Sequence, residues 1–205
     1  GEERNIVTPL AGTTRDSIFT RFNKFEHDFL LVDTAGLRKK SKVSEDIEFY
    51  SVMRAIRSIE SSDICLLLID ATRGLESQDM NIISLILKNN KGMILLVNKW
   101  DLVTKENNTA LAIEKEIKAR TAPFTDYPIL FISATNKQRI HRILEVVDRV
   151  NANRNRKIST SELNDVFLKI VNDNPPPASR GRHIKIKYVT QLPVYTPSFA
   201  FFCNY

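Results

Sequence analysis

A run of apolar residues, Met93-Ile94-Leu95-Leu96-Val97, ends in Asn98-Lys99-Trp100-Asp101. The run is short and unbroken, and Gly92 bounds it in front, so it predicts a fully buried strand of a parallel sheet. In open α/β sheets ligands bind just beyond the carboxyl ends of the strands. Asn98 and Asp101 stand at such an end. An ionised carboxylate accepts hydrogen bonds through two oxygens and donates none. Guanine offers it two adjacent donors, the ring N1–H and the exocyclic amino group; adenine has an acceptor at N1 and no amino group at C2. A site built around such a pair rejects a ligand lacking it by up to about 10⁴–10⁵. Asn98 can offer an amide donor to a ring acceptor, and the stem of Lys99 can lie along a flat base. Alone, the four-residue pattern also fits an ordinary polar turn after a strand.

Its neighbours add weight. Phe29-Leu30-Leu31-Val32 is a second buried run, and it ends in Asp33-Thr34-Ala35-Gly36. A carboxylate there can hold the water shell of Mg²⁺, which takes oxygen ligands and keeps several waters. Gly36 lets backbone N–H approach a phosphate, because no Cβ intervenes. A third run, Pro128 to Ile132, ends in Ser133-Ala134-Thr135. Ahead of all three lies the polar loop Ala11-Gly12-Thr13-Thr14-Arg15-Asp16.

Between these runs the pattern alternates. Ile18 to Leu31 reads as a hairpin turning near Glu26-His27-Asp28, with His27 in solvent. Leu37 to Ser44 reads as a basic loop. Apolar residues at three- and four-residue spacing predict helices over 45–61, 77–89, 107–122 and 138–153, with a further buried strand at Ile64 to Asp70. Strands and helices in alternation mean a doubly wound α/β sheet. Beyond Asn153 the character changes. Arg154-Asn155-Arg156-Lys157 is a basic linker, Ser159 or Thr160 can cap a helix to about Asn172, and two strands follow at Ile184 to Gln191 and Ser198 to Tyr205. A helix and two strands bury their own faces poorly, so this second domain reads as cut short.

Composition adds limits. Residues 1–150 carry 22 Lys+Arg and 21 Asp+Glu, a balance of +1; residues 151–205 carry 8 and 3, a balance of +5. A basic C-terminal part suits an anionic partner, with RNA the first candidate, or a solvated linker. Arg180, Arg182, Lys185 and Lys187 alternate and could share one face, toward phosphates or toward another part of the chain. No run approaches the ~18 apolar residues of a membrane span, and the N-terminus does not read as a signal peptide. A cytoplasmic location is expected. Cys65 and Cys203 read as buried thiols, and His141 and His183 as structural.

Taken in order, the four motifs resemble the guanine-nucleotide-binding domain of the translation-factor-related GTPases. The segments Ala11–Asp16, Asp33-Thr34-Ala35-Gly36-Leu37-Arg38-Lys39 and Val97-Asn98-Lys99-Trp100-Asp101-Leu102 resemble in particular the second GTPase domain of the Der (EngA) family of ribosome-assembly GTPases. The stretch from Thr160 to Tyr205 is similar to the opening of that family's KH-like domain. The resemblance implies a P-loop-NTPase-like GTPase domain over 1–153 and a linker with a partial α+β KH-like domain over 154–205. It implies GTP or GDP with Mg²⁺, and K⁺ as a further cation. Thr14 and Asp33 would serve the metal, Thr14 and Gly36 the γ-phosphate and its hydrolysis. Asn98, Lys99 and Asp101 would hold guanine, and the backbone at Ser133-Ala134 would donate to its O6. The implied partners are the 50S ribosomal subunit and its rRNA, with the protein monomeric.

Three departures qualify the resemblance. The phosphate-cradling loop Gly-x-x-x-x-Gly-Lys-Ser/Thr is absent and is expected just upstream of Gly1. The family's KH-like domain continues past Tyr205. The segment after Ala134, Thr135-Asn136-Lys137-Gln138-Arg139, has no glycine where one is expected. Where some GTPases orient the attacking water with glutamine, this chain has Leu37, which predicts slow intrinsic turnover. No Gly-x-x-Gly occurs between Thr160 and Tyr205, unlike Era and other clamping KH modules. The competing readings are an RNA- or ribosome-binding module without activity and a tRNA-modification GTPase. The latter shares the Gly-Thr-Thr-Arg-Asp loop but lacks the basic helix–strand–strand.

Overall fold

The structure is a computed structural model that describes residues 18–33, 56–178 and 181–204. The chain divides into two compact units, Gly1–Asp148 and Arg149–Tyr205. The expected loop at Thr14, the turn at Gly36 with the basic loop after it, residues 45–55 of the first expected helix, and Arg180 lie outside the described residues.

In the first unit, β1 (Ile18–Lys24) and β2 (His27–Asp33) form the expected antiparallel hairpin, paired from Ile18↔Asp33 to Lys24↔His27. The two-residue turn is Phe25-Glu26, with φ of 54° and 63°. Both positive values match the mirror-image turn that follows the twist of a hairpin. His27 corrects the expectation of a solvated side chain. Its Nδ1 lies 2.6 Å from Asp148 Oδ2, and its ring stacks on Phe29. The contact is long-range, so no local pattern announced it.

Residues 56–61 are helical (α1) and carry the buried Ile59. The central sheet is parallel, in the order β3 (Ile64–Asp70), β4 (Gly92–Asn98), β5 (Ile129–Phe131). Helix α2 (Ser77–Lys88) connects β3 to β4, and α3 (Thr109–Thr121) connects β4 to β5. Along β4, Met93, Leu95 and Val97 join a core with Leu67 and Ile69 of β3, Ile83 and Ile86 of α2, Ile117 of α3 and Phe131 of β5. Ile94 and Leu96 point to the opposite face and are equally buried. Both faces of β4 are therefore covered, as a doubly wound sheet requires. β3 differs: Leu67 and Ile69 are buried while Leu66 and Leu68, on its other face, are exposed.

Helix α4 (Ile140–Asn155) runs through the division between the units at 148/149. The second unit contains α5 (Thr160–Asp173), β6 (Ile186–Gln191) and β7 (Phe199–Cys203). Of the two expected caps, Ser159 is the one used: its Oγ accepts from the Glu162 N–H at 3.2 Å. β6 and β7 pair antiparallel. The helix holds the outer edge of β6 through Asn164, whose amide accepts from the Val189 N–H at 2.8 Å and donates to its carbonyl at 3.1 Å. Phe167 packs on Phe199 and Phe201. β6 starts at Ile186, two residues later than expected. The N–H of Lys185 goes to the Asn204 side chain, and the ladder is irregular between Ile186 and Tyr188. Neither cysteine is in a disulfide, and both are half-buried where buried thiols are expected.

Candidate functional site: the carboxyl ends of the parallel strands

The site is assembled where β3, β4 and β5 end together. The register pairs Asp70 with Asn98 and Val97 with Phe131. At the end of β4 the chain must leave the sheet while its backbone groups stay paired. The Asn98 carbonyl accepts from the Ala71 N–H at 2.8 Å, and the Trp100 N–H donates to the Ile132 carbonyl at 3.0 Å. Trp100 is buried, with its ring 4.5 Å from that of Phe131. This anchor explains the variable position of Asn-Lys-x-Asp here: an indole pins the loop to the core. Lys99 turns the chain in the left-handed region (φ 61°, ψ 32°), and a single 3₁₀ turn, Trp100–Leu102, follows. Asp101 is thereby exposed at the sheet end. Among the described residues no side chain bonds its carboxylate, so both oxygens are available to a ligand's donors.

The loop after β5 closes on itself. Ser133 is fully buried, its Oγ accepts from the Asn136 N–H at 3.1 Å, and its N–H and carbonyl pair with Gln138. The missing glycine has its answer in the backbone: Lys137 and Arg139 take φ of 55° and 59°. Those are the positions glycine would fill without strain; side chains there cost about 1–2 kcal/mol each. Ala134 is exposed, and its N–H donates to Asn98 Oδ1 at 3.0 Å. That bond ties the two loops together and leaves the Asn98 amide N–H₂ to donate elsewhere.

Asn98, Lys99, Asp101, Ser133 and Ala134 are thus brought to one place. Asp33 ends β2 opposite Ile18, and its side chain is outside the described set, as are Thr14 and Gly36. Among the described residues no three His, Cys, Asp or Glu side chains gather to hold a metal, and no helix is long and apolar enough to cross a membrane.

One residue of this constellation is not anticipated by the sequence motifs. Asp70 ends β3, its side chain is 5% exposed, and its Oδ2 lies 2.7 Å from Lys99 Nζ. Its Oδ1 accepts from the N–H and the hydroxyl of Thr72 at 3.0 and 2.7 Å. The Lys99 ammonium holds the Asp70 carboxyl well below the usual carboxylate range, against the opposing effect of burial, and the Thr72 donors assist. The signal was available: a buried run, Ile64 to Ile69, ending in an acidic residue, as at Asp33.

Known proteins bear on this site. A family model described as "50S ribosome-binding GTPase" matches residues 1–99, and one described as "KH-domain-like of EngA bacterial GTPase enzymes, C-terminal" matches residues 157–205. The curated proteins named GTPase Der from Porphyromonas gingivalis and Bacteroides fragilis are 57% and 59% identical to this chain over 205 and 206 residues. Each alignment covers 100% of this chain and 47% of the relative, so the chain spans about half the length of the curated relatives it matches. Among solved structures, Era in complex with MgGDPNP and a segment of 16S ribosomal RNA has a TM-score of 0.63 at 29% identity, covering 71% of this chain and 48% of that one. A probable GTP-binding protein, engB, shares the fold at 17% identity with a TM-score of 0.57, over 72% of this chain and 88% of that one. With identity above one half along its whole length, and the C-terminal EngA model matching residues 157–205, this chain is similar throughout its length to the proteins named GTPase Der.

Proposed function

We propose that this chain is the second GTPase domain and the start of the KH-like domain of a GTP-binding, GTP-hydrolysing switch that acts in 50S ribosomal subunit biogenesis. The observation that carries the reading is the end of β4. There Asn98 is tied to Ala134, and the exposed Asp101 carboxylate offers two acceptors and no donor. That acceptor pair matches the two adjacent donors of guanine and mismatches adenine. The Ala134 N–H reaches a guanine O6 only by sharing or leaving its bond to Asn98.

In this reading residues 1–153 are the GTPase domain and 154–205 the linker and KH-like part. Thr14 and Asp33 would hold Mg²⁺, which neutralises phosphate charge when bound. Gly36 would give its N–H to the γ-phosphate. Water attacks the γ-phosphorus, the bond to the bridging oxygen breaks, and GDP and phosphate leave. Leu37 cannot orient that water, so basal turnover is slow, and the missing stabilisation would come from a group outside this chain or from a cation such as K⁺. The exposed Lys185 and Lys187, flanking Ile186 at the start of β6, would meet phosphates of rRNA in a salt-dependent contact. The protein works as a cytoplasmic monomer.

The test is the affinity for GDP and GTP against ADP and ATP, measured on this chain and on a version extended upstream. Tight guanine-selective binding by the extended form is the expected result. Binding by neither form would overturn the reading.

A further inference from the structure

We propose that Asp70 is a positioning residue of the guanine site: by holding the Lys99 ammonium it stretches the lysine stem across the end of β4 as a fixed floor for the base. The inference rests on the guanine reading above and assigns a role to a residue outside the recognised motifs.

The geometry runs from the sheet outward. β3 and β4 are parallel neighbours in register, so Asp70 and Asn98 end level, and Lys99 starts one residue beyond. The left-handed turn at Lys99 sends its side chain back over the sheet end, where its Nζ meets Asp70 Oδ2 at 2.7 Å. Asp70 is itself immobilised, since Oδ1 takes both donors of Thr72. The Lys99 side chain is nevertheless 52% exposed. Its ammonium is held on a carboxylate that is nearly inaccessible, so the stem leading to it is held in place while the side chain stays open to a ligand. A free lysine side chain keeps rotamer entropy worth up to about 1.5–2 kcal/mol, lost when a ligand orders it. Asp70 removes that freedom before the base arrives, and preorganisation of this kind raises affinity.

A purely structural role is the competing account, because Asp70 also closes the turn at Ala71–Gly74 through its carbonyl and Oδ1. Asp70→Asn separates the two. Its side-chain oxygen still accepts from Thr72, while the charge that holds Lys99 is gone.

The experiment uses the upstream-extended chain with GDP and inosine diphosphate, which lacks the exocyclic amino group but keeps the two-ring face. Asp70→Asn is expected to weaken both ligands by the same factor, about tenfold. A floor acts on the ring face and is blind to the amino group. In a Lys99→Met background, where the stem remains and the ammonium does not, Asp70→Asn is expected to cost nothing further. If Asp70→Asn does not fold, Thr72→Val, which removes the hydroxyl that orients Asp70, gives the same equal loss at smaller size. Unchanged affinity in these variants overturns the proposal, as does the same loss with and without Lys99. A parent protein that binds no GDP overturns the guanine reading and the proposal with it. A parent that binds while Asp70→Asn behaves like it removes the proposal alone.

Discussion

Strand β4 and strand β7 of the β6–β7 pair are both built from strongly apolar sequence, yet their burial differs. On β4 every residue from Gly92 to Val97 is buried. On β6 and β7 only Val189 is buried, while Tyr188, Phe201 and Phe202 are 43%, 47% and 42% exposed. The difference lies in neighbours. β4 has a strand on each side and cover on both faces, so its side chains leave water whichever way they point. Among the described residues β6 and β7 have one helix, and that helix reaches the sheet through Phe167 and the Asn164 amide. Apolar content therefore sets how much surface a segment can bury, and the number of covering elements decides how much it does. The consequence is functional. A strand locked on all sides holds Asn98 and Lys99 in a fixed place, which suits the proposed role of these residues at a rigid base.

Substitutions can test this contrast. Leu95→Ala should have the largest effect, about 2–5 kcal/mol in the unfolding of the first unit, because a fully enclosed side chain leaves a cavity; chemical denaturation measures it. Asn164→Ala should cost about 1–3 kcal/mol in the second unit, since the N–H and carbonyl of Val189 lose their partner at a part-buried edge; hydrogen exchange at Val189 should rise with it. Phe201→Ala should cost only about 1 kcal/mol although it removes a larger group than Leu95→Ala, because nearly half of the ring is already in water. A loss from Phe201→Ala equal to that from Leu95→Ala would contradict the comparison. Lys137→Gly should be the smallest effect and of opposite sign, a gain of about 1 kcal/mol or less, from relief of a left-handed side chain against the added freedom of the unfolded chain.

Acid probes the same sheet end. The folded-state pKa of Asp70 is depressed, so its stabilisation is present above the unfolded carboxylate range, near pH 4. It is lost as pH falls from there toward the lower folded value. The melting temperature should fall on acidification below about pH 4, and Asp70→Asn should fall less steeply over the same range.

Much of this was legible in the residues. The run from Met93 to Val97 reads as a buried strand because no side chain in it favours solvent. A carboxylate can only accept, which is why Asp101 is expected to face guanine; among the described residues no side chain bonds it. The hairpin, the β3 strand and the Ser159 cap likewise follow from local chemistry. His27 is expected in solvent and is not; the contact of Asp70 and the conformation of Lys137 are not anticipated at all, and each for a long-range or backbone reason. His27 meets Asp148, Asp70 meets Lys99 across 29 positions, and Lys137 adopts a conformation that the side chain does not reveal.

The sequence by itself determined the resemblance to the Der (EngA) GTPases, the order of strands and helices, and which side chains are candidates for a guanine base. These depend on residue type and on spacing within a few positions. Only the tertiary structure decided that Asp70 meets Lys99, that Ala134 is bonded to Asn98, and that the loop without glycine closes through left-handed Lys137 and Arg139. Those outcomes depend on which strands lie side by side and where they end, and two strands that meet in a sheet leave no mark of that pairing in either one's own residues.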